Sequence, residues 1–221
     1  MPSFEKAIGL LEKHYGRPKP PAIRDPLELI LYENIAYLVS DDRREKAFRE
    51  LRKRVGLRAA DILTATLEQL AEITAIGGIF PELRARRLHE SARPVRDEFG
   101  GNLRSVLTLD PAAARRALKK FPTIGDPGAD KILLFTGTVS SLAPDSNGLR
   151  VLMRLGFVKE HKNYGTMYRA AQTALQNQAG ECASWIAAHQ LLKRHGQQLC
   201  RRSAPRCEAC PLRSVCPSAV L

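Results

Sequence analysis

Apolar residues recur along most of this chain at the three- and four-residue spacing of amphipathic helices, and β-branched runs are scarce. Ile8, Leu11 and Tyr15 mark one face of a predicted helix over Phe4–Tyr15 that stops before Gly16. Asp25-Pro26 has the order of a helix start, a side-chain cap followed by a first-turn proline. The helix it opens, Leu27–Leu38, is apolar nearly all round and is expected to be central, with Glu33 and Asn34 as its unusual members. The same spacing predicts a solvated basic helix over Arg43–Val55, a short segment near Ala59–Asp61, and helices over Thr66–Ile73, Glu82–Phe99 and Ala112–Lys120. It continues with Pro127–Phe135, Asn147–Leu155, Tyr164–Gln178 and Glu181–Gly196. With no fixed-period repeat, no parallel-sheet signature and no Rossmann or P-loop glycine pattern, the chain reads as an all-α fold of about ten short helices.

Composition narrows the partners. The 221 residues are 44% hydrophobic, enough to bury a core as one large domain or two small interleaved ones. Lys and Arg number 35 against 23 Asp and Glu, a formal charge of +12 that favours a polyanion, nucleic acid first and an anionic membrane surface second. No apolar run reaches the roughly 18 residues of a membrane span, and the N-terminus lacks the pattern of a secretory signal. Four of the five cysteines lie between Cys200 and Cys216, which in an intracellular protein points to a metal more than to disulfides.

Cys200, Cys207, Cys210 and Cys216 follow the pattern C-x6-C-x2-C-x5-C, and four thiolates so close in sequence suit a zinc ion or a cubic iron–sulfur cluster. The uneven spacing favours the larger object. Arg201, Arg202, Arg206 and Arg213 make the same loop a basic surface, and Cys182, beside Trp185, is expected to be a buried small hydrophobe. Upstream, Phe121-Pro122-Thr123-Ile124-Gly125-Asp126-Pro127-Gly128-Ala129 has the form of a tight hairpin between two helices, with Gly125 expected to supply a backbone shape closed to other residues. Helix-entry amides of that kind bind phosphate without reading sequence, although an ordinary helical hairpin would look the same. Asp145, read by itself, is a helix N-cap.

The cysteine spacing and its Cys-Glu-Ala-Cys-Pro-Leu core resemble the [4Fe-4S] loop of the endonuclease III and adenine DNA glycosylase branch of the helix-hairpin-helix DNA glycosylases. The hairpin is similar to that family's h-P-G-h-G-x-x-x-A, with Thr123 in place of the first glycine, and this implies DNA-backbone contacts at Thr123, Gly125, Gly128 and Ala129. Asp145, in the run Asp-Ser-Asn-x-x-Arg-Val-Leu, resembles the adenine glycosylase form of the catalytic carboxylate. Glu33 falls where adenine glycosylases keep the glutamate that protonates the purine, and an apolar helix would raise its pKa as a general acid needs. Two departures are plain. Pro127 stands where bifunctional members carry the lyase lysine, and Lys131 lies one turn further, where a helix is expected to carry it away from the hairpin mouth. Ala36-Tyr37-Leu38-Val39 replaces the polar stretch that follows the family's second helix.

The resemblance implies two lobes, a central helical domain over 23–137 and a cluster domain formed by 1–22 with 138–221. It implies a monomeric, nucleoid-associated cytoplasmic enzyme whose partner is double-stranded DNA with a damaged or mismatched base flipped into the cleft between lobes. The activity implied is base excision without strand cleavage, through Asp145 and Glu33. A bifunctional glycosylase/AP lyase and a non-catalytic iron–sulfur DNA-binding protein are the rivals. If about 4–6 phosphates are neutralised, log K for duplex DNA should fall against log salt with a slope of about −4 to −5 in a salt titration, and an affinity flat between low and physiological salt would contradict the charge argument.

Overall fold

The computed structural model describes residues 2–178 and 180–219; Met1, Ala179, Val220 and Leu221 lie outside the described residues. Eleven α-helices are found among the described residues, so the fold is all-α as the spacing predicts. They are α1 (Phe4–Tyr15), α2 (Pro26–Asn34), α3 (Asp41–Arg54), α4 (Ala59–Thr64), α5 (Leu67–Ile76), α6 (Pro81–Glu98), α7 (Pro111–Leu118), α8 (Asp126–Phe135), α9 (Ser146–Arg154), α10 (Tyr164–Leu175) and α11 (Cys182–Gln198). None of the described helices is long and apolar enough to cross a membrane. The chain divides into two units, one of Ile23–Thr136 and one of Met1–Ala22 with Gly137–Leu221.

In the Ile23–Thr136 unit, α2 is central. Asp25 Oδ1 accepts from the Leu27 and Glu28 amides at 3.0 and 3.3 Å, Pro26 sits in the first turn, and Leu27, Leu29, Ile30 and Leu31 are all buried. The helix ends at Asn34, four residues before the expected Leu38. The cause is the Asn34 side chain, whose amide turns back to Ile30 O at 3.0 Å, and Leu38, whose φ of 54° is left-handed. Tyr37 instead forms an isolated bridge to Gly78. Helix α3 also differs from expectation: its outer face is basic, but Ala47, Phe48 and Leu51 are buried.

Helix α6 holds the largest surprise in this unit. Arg84, one of the basic residues of this helix, is 2% exposed. Its guanidinium donates to Ile35 O at 2.9 Å, Thr74 O at 2.7 Å and Gly78 O at 2.6 Å. Ile35 O and Gly78 O lie just past the ends of α2 and α5, and Thr74 O, in the last turn of α5, also accepts the Gly77 amide at 2.8 Å. Gly77 lets the segments meet, since a Cβ there would fall 2.2 Å from Ile35 O.

In the other unit α11 packs on both α1 and α9, and α10 packs on α9. Phe4 closes one end of the α1 contact, its ring 5.5 Å from Trp185 and 5.9 Å from Phe157. Cys182 begins α11 half-buried, not buried as expected. The α9–α11 crossing depends on Gly196, because a Cβ there would lie 2.7 Å from Asn147 O. Gly196→Ala should therefore destabilise the protein by about 2–3 kcal/mol in denaturant unfolding, the scale of overpacking against backbone. Gly9→Ala is the control: it lies inside α1 with nothing within 4 Å, and should stabilise by about 0.5–1 kcal/mol.

Candidate functional site

Helices α7 and α8 form the expected hairpin, and its turn is built differently from the expectation. Gly125 has φ −90°, open to any residue, and a Cβ added there would meet only the Pro127 ring, at 3.9 Å. The left-handed residue is Thr123, at φ 64°. A β-branched residue in that region is strained by about 1–3 kcal/mol unless its surroundings hold it. Asn34 holds it. Thr123 Oγ1 donates to Asn34 Oδ1 at 3.0 Å, and the Asn34 amide donates to Pro122 O at 3.1 Å as well as to Ile30 O. Asn34 is 2% exposed and is the functional-region residue that sequence reasoning noted only as unusual.

The rest of the expected backbone-contact set lies at the start of α8. Gly125 is the N-cap, Gly128 faces Ile124 at 3.4 Å from where its Cβ would be, and Ala129 is buried, its amide donating to Gly125 O at 2.9 Å. Asp126 occupies the first turn and pairs with Lys119 at 2.6 Å, while Arg115 pairs with the buried Asp130. Those two hairpin cations are thus neutralised within the fold.

Lys131 reaches across to α2. Its Nζ contacts Glu33 Oε1 in the last turn of α2, with the two side chains 19% and 27% exposed. Glu33 therefore stands against an ammonium and not in the apolar surrounding expected from its helix. Arg44 Nη1 closes the same helix end, donating to Tyr32 O at 2.9 Å.

The second group of candidate residues lies in the other unit. Asp145 caps α9: Oδ1 accepts from the Gly148 amide at 2.8 Å, and Oδ2 accepts from Asn147 Nδ2 at 3.4 Å. The carboxylate is half-buried. Partial burial, and then the charge of Asp145, push the phenol of Tyr164, still 40% exposed at the start of α10, up to about 12.

Two arginines join α9 to the cysteine loop. Arg150 donates to Asn147 Oδ1 at 2.8 Å, Gly196 O at 2.7 Å and Cys200 O at 2.9 Å. Arg154 reaches Cys200 Sγ at 3.3 Å, Arg201 O at 2.7 Å and Arg202 O at 3.2 Å. Cys200, Cys207, Cys210 and Cys216 are free thiols that line one cavity together with His195 and Leu212. No three His, Cys, Asp or Glu side chains among the described residues are gathered as a site for one metal ion. Burial is the first cause that pushes the Cys210 and Cys216 thiols up, with the neighbouring cysteines adding to it. Bare thiolates are costly there. A cationic iron centre is the kind of object that offsets such a cost, so the donor set fits one. His195, behind Cys210, is held down to about 4 by burial and by His14.

The clamp on the hairpin is open to direct test. Asn34→Asp replaces two donated N–H bonds by an acceptor facing the Ile30 and Pro122 carbonyls. It should cost about 2–4 kcal/mol and lower the melting temperature by several degrees in a thermal scan.

No protein-family model matches the chain. It is similar to endonuclease III of Bacillus subtilis, 24% identical over 159 residues that make up 72% of this chain and 66% of that protein. It is 27% identical over 156 residues to human adenine DNA glycosylase, a match over 71% of this chain and 27% of the human protein. Its fold superposes on a trapped endonuclease III–DNA covalent intermediate with a TM-score of 0.76 at 20% identity, covering 99% of this chain and 98% of the other. By sequence the chain is thus similar to endonuclease III and to the adenine DNA glycosylases, and it shares the all-helical fold of endonuclease III.

Proposed function

We propose that this chain is a base-excision DNA glycosylase that hydrolyses the N-glycosidic bond of a damaged or mismatched base and leaves an abasic site in an uncut strand. The observation that carries the reading is Asp145, a half-buried carboxylate fixed by a backbone amide at the start of α9, in a chain related to DNA glycosylases. As the bond to the base breaks, its electron pair leaves with the base and the sugar becomes a cation. A carboxylate already fixed in place stabilises that cation without reorganising, and it can take a proton from the water that adds to the sugar. Asn147, donating to the second oxygen, keeps the group oriented.

On the base side the reading keeps Glu33, now with Lys131. An ammonium–carboxylate pair carries its proton on nitrogen, and a departing ring nitrogen can take that proton from it. A duplex that loses a base from its stack also needs a wedge. Leu38 and Phe80, 76% and 59% exposed, stand on two loops of the same unit linked by the Tyr37–Gly78 bridge, and apolar side chains of this kind enter base steps. Arg84 braces both loops from beneath, through Ile35 O and Gly78 O.

Cys200, Cys207, Cys210 and Cys216 are the residues that would hold a [4Fe-4S] cluster. When bound, such a cluster ties the loop together covalently and supplies a one-electron couple. The chain's own part is to bring four thiols to one cavity and to fasten their loop to α9 through Arg150 and Arg154.

Pro127 offers no amine at the lyase position, and the Lys131 side chain is engaged by Glu33. One observation favours a second reading, the bifunctional lyase: a carboxylate beside an amine is also an arrangement that can take its proton and activate it. Borohydride trapping separates the two. The monofunctional enzyme should give alkali-labile sites and no protein–DNA adduct; an adduct that disappears in Lys131→Ala would establish the lyase. Asp145→Asn, which preserves the N-cap, should lower single-turnover excision about 10²-fold or more while DNA affinity stays nearly unchanged.

A further inference from the structure

His195 takes no part in the mechanism above, yet both of its ring nitrogens are engaged. It is 1% exposed, in the last turn of α11. Nδ1 lies 3.0 Å from the Tyr15 hydroxyl and Nε2 lies 3.5 Å from Cys210 Sγ. A metal-bound thiolate has no proton to give, so that second contact persists in the loaded protein only as an N–H donated by Nε2. A neutral imidazole with its proton on Nε2 keeps a lone pair on Nδ1, where the Tyr15 hydroxyl can donate. Tyr15 is itself held, with the Arg194 guanidinium 4.8 Å over its ring and Arg194 Nη1 3.3 Å from its carbonyl oxygen. Donation then has one direction, from Tyr15 to His195 to Cys210.

We propose that His195, oriented by Tyr15, is a positioning residue for the metal centre: its Nε2–H bond to the Cys210 sulfur raises the reduction potential of the centre and slows its loss. The inference rests on the cluster reading given under the proposed function. Hydrogen bonds to ligand sulfurs are among the factors that set the potentials of iron–sulfur centres, because they offset negative charge on the ligands and so favour the reduced form. Partners that orient a metal ligand are commonly worth 10- to 100-fold in metal affinity. Helix α1, far from the loop in sequence, thereby becomes part of the support of the centre.

The test uses full-length protein purified anaerobically: wild type, His195→Leu, His195→Gln and Tyr15→Phe. Iron per chain, the rate of iron loss to a chelator and the midpoint potential on a film electrode are measured for each. Wild type should hold about four irons. His195→Leu should lose iron about 10-fold faster and have a more negative midpoint. His195→Gln, whose amide can still donate, should recover part of both effects, and Tyr15→Phe should fall between wild type and His195→Leu. Should His195→Leu fail to fold, Tyr15→Phe decides, since it removes one hydroxyl and keeps the ring. An iron-replete wild type whose variants keep its release rate and potential overturns this inference alone. A wild type without iron overturns the cluster reading and this inference with it.

Discussion

Every helix end leaves carbonyl oxygens that no helical amide can reach, and a fold made of short helices has many such ends. Where those ends are buried the oxygens need donors, because an unpaired buried carbonyl costs free energy comparable to a lost hydrogen bond. This protein meets the need largely with long cationic side chains turned inward. Arg84 collects Ile35, Thr74 and Gly78, Arg44 takes Tyr32 and Arg150 takes Gly196, while beyond α11 Arg150 and Arg154 take the loop carbonyls of Cys200, Arg201 and Arg202. Arg84, Arg150 and Arg154 are fastened to the very segments that carry the apolar loops, the Asp145 helix and the cysteine loop. A formal charge of +12 therefore overstates the cationic surface, because part of it acts as internal hydrogen-bond donors.

What was legible in the sequence was local. Asp25-Pro26 and Asp110-Pro111 cap α2 and α7 as their order implies, with carboxylate oxygens about 3 Å from the amides they serve. The cysteine spacing likewise points to one site, and the four thiols line one cavity. What was not legible depended on partners distant in the chain. Asn34 meets Thr123 across 89 positions and Glu33 meets Lys131 across 98, and no pattern within either segment encodes the meeting. Arg84 looks like any surface arginine in a basic run, and only the packing of α6 on α2 and α5 turns it inward. Gly125 was misread for a related reason: a glycine in a turn suggests a special φ, whereas the special φ belongs to the threonine two residues before it.

The two groups of candidate residues are fixed by different means. Asp145 is set by a bond to the amide of Gly148, three residues on in its own helix, so its placement is nearly independent of the rest of the chain. Glu33 and Lys131 hold each other, from α2 and α8, and so depend on the packing that Asn34 clamps. Damage to the hairpin should accordingly disturb the Glu33–Lys131 pair before it disturbs Asp145.

Tyr15 and His195 are 180 residues apart, and this separation governs how the chain acquires its structure during synthesis. Helix α1 leaves the ribosome long before α11, on which it packs. At about 5–20 residues per second, roughly 10–40 s pass between the two. Through that interval the apolar face of Phe4, Ala7 and Leu11 waits without its helix partner, while Ile23–Thr136 emerges whole and can fold ahead of it. The unit that closes last is the one that holds Asp145 and the four cysteines, so a nascent chain gains its thiol cavity only after α11 and the loop behind it have emerged.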